Sequence, residues 1–269
     1  MHIFPAIRRL SGRMQALHFP LLAGLILIQG SYASAQERPA AVPDRPGVAT
    51  PAALTAPGWL EVELGLERTK FGRSERSDAL PYSLKLAFTP DWGIRIDGDA
   101  WIRSRESGEV TSGGGDTAFI LKRRFEVDDR SAFGLEGGVS LPTAGKTLGS
   151  GSHDLLVNGI FSSELGGEWQ VDLNVFATRF GSSTVDLGRV ESGWAAAASR
   201  SAGERWELGA EFSGTHRKGE GSTSQFLLSA SYASTRSVVW DIGFSHGLTS
   251  RSPDWTVFTG VTFVAAKLF

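Results

Sequence analysis

The 269-residue chain has no cysteine, which excludes disulfide bonds, thiol catalysis and cysteine-ligated metal sites. Proline is scarce beyond residue 57, and each remaining proline lies at a predicted turn or loop. Because strands of a closed sheet exclude proline, this placement favours a long series of strands. The prolines concerned are Pro81, Pro90, Pro142 and Pro253.

Long apolar runs are also lacking, apart from residues 19–30. That stretch follows three arginines between residues 8 and 13 and precedes the small residues 33–35, so it predicts a secretory signal peptide over residues 1–35. As a membrane helix the stretch would be too short, because a helix needs about 20 apolar residues to cross a bilayer. Any later membrane crossing must therefore be made by strands.

A large excess of positive charge is missing as well. The formal net charge of −2 becomes −5 when the three arginines of residues 1–35 are removed, since this segment contains no acidic residue. A mildly acidic chain offers no electrostatic basis for binding nucleic acid. We therefore expect no nucleic-acid partner.

Residues 36–57 are rich in Pro, Ala and Thr and show no periodicity. This composition predicts a flexible Pro/Ala-rich periplasmic lead-in to the folded domain. A folded plug is the alternative, but about 22 residues so poor in large apolar side chains are not expected to form a core of their own.

From residue 58 onwards, apolar and polar side chains alternate with the period of two that is typical of β-strands. In the first strand, Leu60, Val62 and Leu64 share one face, whereas Glu61 and Glu63 share the other. Twelve such strands are predicted, and ten or fourteen are the alternatives. They begin near residues 58, 82, 92, 116, 132, 153, 169, 190, 206, 224, 238 and 255.

The connections between these strands alternate in length. Short turns alternate with longer polar loops, among them residues 69–81, 104–115 and 216–221. Short periplasmic turns and longer external loops are typical of bacterial outer-membrane barrels. An even number of strands then leaves both ends of the folded chain in the periplasm.

Large aromatic residues stand at the start of the strands that rise from the periplasmic side, where a girdle at the lipid headgroups is expected. They include Trp92, Phe133, Trp169 and Trp206. A soluble β-sandwich is the alternative, but it gives no reason for aromatics at alternate strand starts. The sequence therefore predicts an all-β fold, a transmembrane antiparallel up-and-down β-barrel of about twelve strands over residues 58–269, in the bacterial outer membrane.

Three short motifs follow one another in a fixed order, namely GGGD at residues 113–116, VSLPTAG at 139–145 and LGSG at 148–151. In this order and spacing they resemble the outer-membrane transporter family named after the MetA pathway of phenol degradation. The resemblance implies an outer-membrane barrel but says little about a substrate. Ala144, where the family is expected to have glycine, and Lys267 in the closing strand depart from its pattern.

If lipid surrounds the barrel, the polar face of each strand points inward. Twelve strands leave a narrow lumen, and two outcomes stay open: the charges pair and fill the interior, or they line a wet path. Because acids exceed bases on this face, an open path would weakly prefer cations or neutral polar solutes over anions. The candidate lumen-lining residues are Glu61, Glu63, Glu67, Lys85, Arg95, Asp97, Asp99, Lys122, Arg124, Glu136, Asp154, Asn158, Glu164, Asp172, Asn174, Glu207, Glu211 and Asp241.

Catalysis finds little support in the sequence. The enzyme alternative is an outer-membrane lipid hydrolase or acyltransferase that uses a serine and a histidine on its outer face. Ser245 and His246 are adjacent, but neighbouring residues of a strand point to opposite faces and cannot form a nucleophile and its base. No two histidines have metal-ligand spacing. We expect no catalytic residue, no metal and no cofactor.

The function that the sequence favours is a passive channel or transporter for small molecules. The alternative is a plugged structural or adhesive barrel that acts through its external loops. The expected partners are outer-membrane lipid, a small-molecule solute and the barrel-assembly machinery, which would recognise the C-terminal strand ending at Phe269.

Overall fold

The computed structural model describes residues 37–72, 74–144, 148–184 and 186–269. The predicted signal peptide, residues 1–35, lies outside the described residues. Within these described ranges, the regular secondary structure consists of thirteen antiparallel β-strands. No helix in them is long and apolar enough to cross a membrane.

The strands coincide with the segments in which apolar and polar residues alternate, because a pleated strand sends successive side chains to opposite faces. Their bounds are β1 Trp59–Phe71, β2 Glu75–Ala87, β3 Trp92–Glu106, β4 Glu109–Gly113, β5 Thr117–Asp128, β6 Ser131–Leu141, β7 Asp154–Glu164, β8 Trp169–Arg179, β9 Val190–Ser201, β10 Trp206–Arg217, β11 Gly221–Thr235, β12 Val238–Gly247 and β13 Trp255–Lys267.

Twelve of these strands form a closed barrel. Neighbours along the chain pair with each other, and β1 pairs with β13, which closes the sheet. The short strand β4 pairs with the external end of β3, residues 102–106. The barrel continues through β5, which pairs with the periplasmic half of β3, residues 92–98. A closed ladder leaves no edge whose backbone groups would lack partners in hydrocarbon. The prediction of a twelve-stranded antiparallel barrel is confirmed.

The distribution of side chains is the reverse of that in a soluble protein, with apolar side chains on the exterior and polar ones in the interior. In β8, Leu173 and Val175 expose 43% and 68% of their surface, whereas Asn174 between them exposes 3%. In β1, Glu61 is fully buried while Leu64 is 46% exposed. Such an arrangement is stable where hydrocarbon surrounds the protein, so the apolar outer face is the lipid-facing surface.

The aromatic residues predicted at the strand starts lie on this outer face. Trp92, Phe133, Trp169 and Trp206 each expose more than a third of their surface. The guanidinium group of Arg123 lies 4.9 Å from the centre of the Trp92 ring. An amphipathic ring next to a long basic side chain is typical of the headgroup region of a membrane.

Several segments predicted as external loops are strands instead. β1 continues to Phe71 and β2 begins at Glu75, so most of the predicted loop 69–81 belongs to these strands. β4 lies within the predicted loop 104–115, and a three-residue turn joins β10 to β11 where loop 216–221 was expected. The loop predictions were wrong because the ladder satisfies backbone groups whatever the side chains are, so polar strands extend beyond the membrane.

Pro81 lies inside β2 rather than in a loop. The register between β2 and β3 shifts at this point, since Leu80 pairs with Trp101 and Pro81 pairs with Asp99, which leaves Ala100 without a partner. A bulge of this kind interrupts the ladder locally, so the missing amide donor of proline costs little there.

The beginning and the end of the barrel meet at Gly58. Its φ of 79° lies in the left-handed region, and a Cβ atom at this position would be 2.4 Å from the carbonyl oxygen of Phe269. The amide of Leu268 donates to the Gly58 carbonyl oxygen at 2.7 Å. Glycine is therefore required by both the backbone conformation and the close approach.

A charge on the lipid-facing surface tests the inverted arrangement. We expect Val175→Arg to lower the free energy of unfolding by about 2–4 kcal/mol, because the guanidinium group would lie in hydrocarbon. Urea unfolding in lipid vesicles measures the change. Ser182→Arg, in the exposed connection between β8 and β9, is the matched control and should leave stability within about 0.5 kcal/mol. An equal effect of the two changes would contradict the assignment of the faces.

Candidate functional site

Residues 37–57 are here called the lumen segment: Glu37, Arg38 and Ala40 are exposed at the periplasmic rim, and most of the residues that follow lie inside the barrel. At the periplasmic end, the amide of Ala41 donates to the carbonyl oxygen of Arg236, in the turn between β11 and β12, at 2.9 Å. At its other end the segment forms a bridge between Pro57 and Ala87 before β1 begins. The expectation that these residues form a flexible periplasmic lead-in is therefore wrong.

The lumen segment follows the inside of the wall from strand to strand. Its first contacts are with the turn between β11 and β12 and with β13, the next are with β1, and later ones reach the opposite side of the barrel before Thr55 returns to Glu61 of β1. The hydrogen-bonded pairs along this path are Val42 with Glu61, Arg45 with Asp241 of β12, Ala49 with Glu211 of β10, Thr50 with Asn174 of β8, Pro51 with Lys122 of β5 and Ala52 with Ser162 of β7.

The wall binds the segment largely through its backbone. The amides of Val48 and Ala49 both donate to one carboxylate oxygen of Glu211, at 2.8 and 2.9 Å. The amide of Ala52 donates to the hydroxyl oxygen of Ser162 at 2.8 Å. Two further amides donate to wall carboxylates at 2.9 and 2.8 Å, those of Val42 to Glu61 and of Asp44 to Glu63.

These contacts explain why a segment so poor in large apolar side chains is ordered. Two of its carbonyl groups accept from lysines of the wall: Lys122 Nζ donates to the carbonyl oxygen of Pro51 at 2.6 Å, and Lys85 Nζ donates to that of Val42. Only a small apolar cluster accompanies them, in which Ala52 packs with Ala132 and Ile160 of the wall. The segment has no core of its own because the barrel supplies partners for its buried backbone groups.

A network of buried charges connects the first part of the segment to the wall. Lys85 Nζ lies 2.7 Å from Glu61 and 2.6 Å from Glu63, and its side chain is 9% exposed. Asp44 of the segment accepts a hydrogen bond from Arg95 at 2.7 Å. Buried charges are tolerated when they are paired and hydrogen-bonded in this way.

Burial and neighbouring positive charges act in opposite directions on the pKa of the Asp44 carboxyl group. Burial alone would raise the pKa of its carboxyl group, but the positive charges of Lys85, Lys122 and Arg95 outweigh burial and hold this pKa well below the ordinary value for aspartate. The carboxylate therefore stays ionised and keeps its ion pair with Arg95.

Most of the predicted lumen-lining residues belong to this network or contact the lumen segment, and Asp172 is linked to the segment through Ser162. Because they come from different strands, only the closed barrel brings them to one place. They are Glu61, Glu63, Lys85, Arg95, Asp97, Lys122, Glu136, Asn158, Asp172, Asn174, Glu211 and Asp241.

The other predicted residues lie elsewhere. Asp154 is buried at the outer end of β7, where it accepts hydrogen bonds from the Ser152 hydroxyl group, in the preceding connection, and from the Gly181 amide, in the connection after β8. Glu67 and Asp99 are half-buried in the outer part of the barrel. Three residues at the periplasmic ends of their strands are not brought into the network: Arg124, which pairs with Glu126, and the exposed Glu164 and Glu207.

The inward face also carries apolar side chains, whereas the predicted lining contained only polar ones. Phe176 and Phe258 are 6% exposed, and each ring lies against the glycine paired with it on the next strand. A Cβ atom at Gly193 or Gly243 would be 2.3 or 2.1 Å from these rings. Glycine thus lets the aromatic ring lie along the wall. The sequence could have indicated these two inward rings only through the glycine that pairs with each phenylalanine. That pairing is known only when the strand register is known.

Ser245 and His246 occupy opposite faces of β12, as the alternation predicts. Ser245 is 3% exposed and points inward, whereas His246 is exposed. Within the ranges that the structure describes, no group of histidines and acids could hold a metal ion.

No protein-family model matches the sequence, and no curated protein matches it. Solved structures are similar: the NanC porin has a TM-score of 0.57 at 9% identity, with 77% of this chain and 100% of that chain covered. The KdgM porin in complex with disordered oligogalacturonate has a TM-score of 0.53 at 9% identity, covering 77% and 99%. The toluene transporter TodX of Pseudomonas putida also has 0.53 at 9%, covering 87% and 99%.

The chain has the fold of an outer-membrane porin. At this level of identity the similarity concerns the fold alone, so the solutes named for those proteins are not transferred to this chain. Together with the apolar exterior, the closed barrel places the protein in the outer membrane of a bacterium.

The charge network predicts a large effect of removing its central cation. We expect Lys85→Ala to lower the free energy of unfolding by about 3–5 kcal/mol, because two buried glutamates lose their partner. The change should also make the lumen segment more accessible to protease. Urea unfolding in vesicles and limited proteolysis measure the two effects.

Arg236→Ala is the matched control, since it removes an ion pair with Glu37 whose side chains are 56% and 77% exposed. This control should cost less than about 1 kcal/mol. If Lys85→Ala were no more damaging than the control, the buried network would not hold the segment.

Proposed function

We propose that this protein is a passive channel or transporter for small molecules in the outer membrane. The observation that carries the proposal is a closed barrel whose interior is lined by charged side chains of both signs and whose exterior is apolar. A polar interior of this kind provides a path for solutes that hydrocarbon excludes. No cofactor, metal or catalytic residue is needed for passive permeation.

The lumen segment narrows this path at the periplasmic half of the barrel. Hydrogen bonds and ion pairs hold it there, with one small apolar cluster. Water and ions can take over polar contacts, so the segment can be displaced without opening a dry core. We infer that its position sets the conductance of the channel.

The selectivity of the path follows from the charges that remain uncompensated. Lys85, Arg95 and Lys122 neutralise much of the acidic lining in the periplasmic half. Within the described part of the chain, Glu67 and Asp99 form no ion pair. They support the proposal of a weak preference for cations or neutral polar solutes over anions.

Two further features bear on the chemical class of the solute. The inward rings of Phe176 and Phe258 are only 6% exposed, so they offer a solute little apolar surface. The motifs between residues 113 and 151 support membership in the family named after the MetA pathway of phenol degradation. Neither feature selects one compound.

A structural or adhesive barrel is the second candidate. The observation that favours it is the density of contacts between the lumen segment and the wall, which permanent closure would also require. In that case the outer connections would carry the function, and their removal would abolish adhesion.

The enzyme alternative gains one contact that the sequence did not reveal. His216 Nδ1 lies 2.9 Å from Ser222 Oγ on the paired strands β10 and β11. Across the described ranges, the His216 ring has no further hydrogen bond to orient it. A serine and a histidine without an orienting group make a weak hydrolase site, so we retain the proposal of a non-enzymatic channel.

Single-channel recording in planar bilayers tests the proposal. We compare the chain that begins at Gln36 with a chain that begins at Gly58 and so lacks the lumen segment. The shorter chain should conduct several-fold more, because the periplasmic half of the lumen is cleared. Under a salt gradient, its reversal potential should show a weak preference for cations.

Refolding is monitored by the change in electrophoretic mobility that a folded barrel shows in detergent, so that a failure to fold is recognised. Conductance in neither chain, with both folded, would contradict the channel. Conductance in the shorter chain alone would identify a plugged structural barrel. Arg236→Ala in the longer chain serves as the control for a change at the rim only.

A further inference from the structure

The side chain of Arg45 occupies a slot in the barrel wall that is built from three neighbouring strands. Gly65 of β1 pairs with Gly260 of β13, and Gly260 pairs with Asp241 of β12. The three residues therefore lie side by side at one level of the lumen. Two of them contribute no side chain, and the third contributes a carboxylate.

The guanidinium group of Arg45 matches this slot. Its Nε and one terminal nitrogen donate to the two oxygens of Asp241, at 3.2 and 3.3 Å. The same terminal nitrogen donates to the carbonyl oxygen of Thr259 at 3.3 Å. Planar, two-pronged recognition of this kind suits a guanidinium group and does not suit an ammonium group.

The two glycines make room for the flat cation. A Cβ atom at Gly65 would lie 2.5 to 2.9 Å from three atoms of the guanidinium group, and the nearest three contacts of that atom all belong to Arg45. At Gly260 a Cβ atom would be 2.6 Å from Arg45 Nε and also 2.6 Å from the carbonyl oxygen of Leu64. The space at Gly65 is therefore shaped for the ligand rather than for the wall.

We propose that Gly65, Gly260, Asp241 and the Thr259 carbonyl group form a guanidinium-binding site whose resident ligand is Arg45. The ligand class that the site takes is a compound with a free guanidinium group. The proposal includes exchange of the resident for such a compound, since its hydrogen bonds of 3.2 to 3.3 Å are longer than the 2.7–2.9 Å typical of tight charge-assisted pairs.

Exchange at this site links a solute to the position of the lumen segment. Through its side chain, Arg45 joins the segment to Asp241 of β12 and Thr259 of β13, while Arg38 makes a separate contact with Val264 of β13. A guanidinium compound in the slot removes that anchor and loosens the neighbouring contacts. The inference rests on the observed position of the segment and not on the channel function, since a permanently plugged barrel would have the same site.

Ligand-observed nuclear magnetic resonance on the refolded chain that begins at Gln36 tests the proposal, with methylguanidinium as the probe. Arg45→Ala vacates the slot and should bind the probe saturably. The wild-type chain should bind it at least about tenfold more weakly, because Arg45 fills the site. The double variant Arg45→Ala, Asp241→Asn should lose binding by a similar factor. Urea, which has a similar shape and no charge, should not bind.

Absence of saturable binding to the folded Arg45→Ala chain, or equal binding to the double variant, would overturn the proposal. Gly65→Ala provides a test that keeps arginine at position 45, since the three atoms nearest the added methyl group all belong to the Arg45 guanidinium group, which must move out of the slot. We expect several-fold faster proteolysis of the lumen segment in this variant. Gly159→Ala is the matched control, because its Cβ atom meets nothing closer than 3.8 Å. Equal rates in the two variants would also overturn the proposal.

Discussion

Every feature of this protein depends on the need to satisfy backbone hydrogen bonds in hydrocarbon. Twelve strands meet that need by closing on themselves, through the pairing of β1 with β13. Closure in lipid then places apolar side chains outside and polar ones inside. The interior consequently contains acids and bases that must find partners at close quarters, and this second requirement determines what occupies the lumen.

The lumen segment meets part of that second requirement. Glu211 has two backbone amides of the segment as donors, and Asp241 has the guanidinium group of Arg45. Asp44 in turn accepts from Arg95, which also contacts acids of the wall. The segment and the wall thus stabilise each other, because each buries polar groups that the other satisfies. Without the segment these wall groups would have to be hydrated.

This mutual dependence bears on how a channel of this kind would work. A segment with a large apolar core would be fixed permanently, whereas we propose that one held by polar contacts and a single small apolar cluster exchanges its partners for water or for a solute. Arg45 is the residue with the most specific site, since two glycines and one carboxylate match its shape and charge.

The sequence by itself determined the barrel. Alternation fixed which face of each strand is apolar, and it also placed Ser245 and His246 on opposite faces, because these properties are local to a strand. Only the tertiary structure decided the place of residues 37–57, the bulge at Pro81 and the slot of Arg45. Residues from strands far apart in the chain form those features. The segment is bound largely through its backbone and otherwise through a few side chains such as Asp44 and Arg45, so its composition could indicate only that it lacked a core of its own.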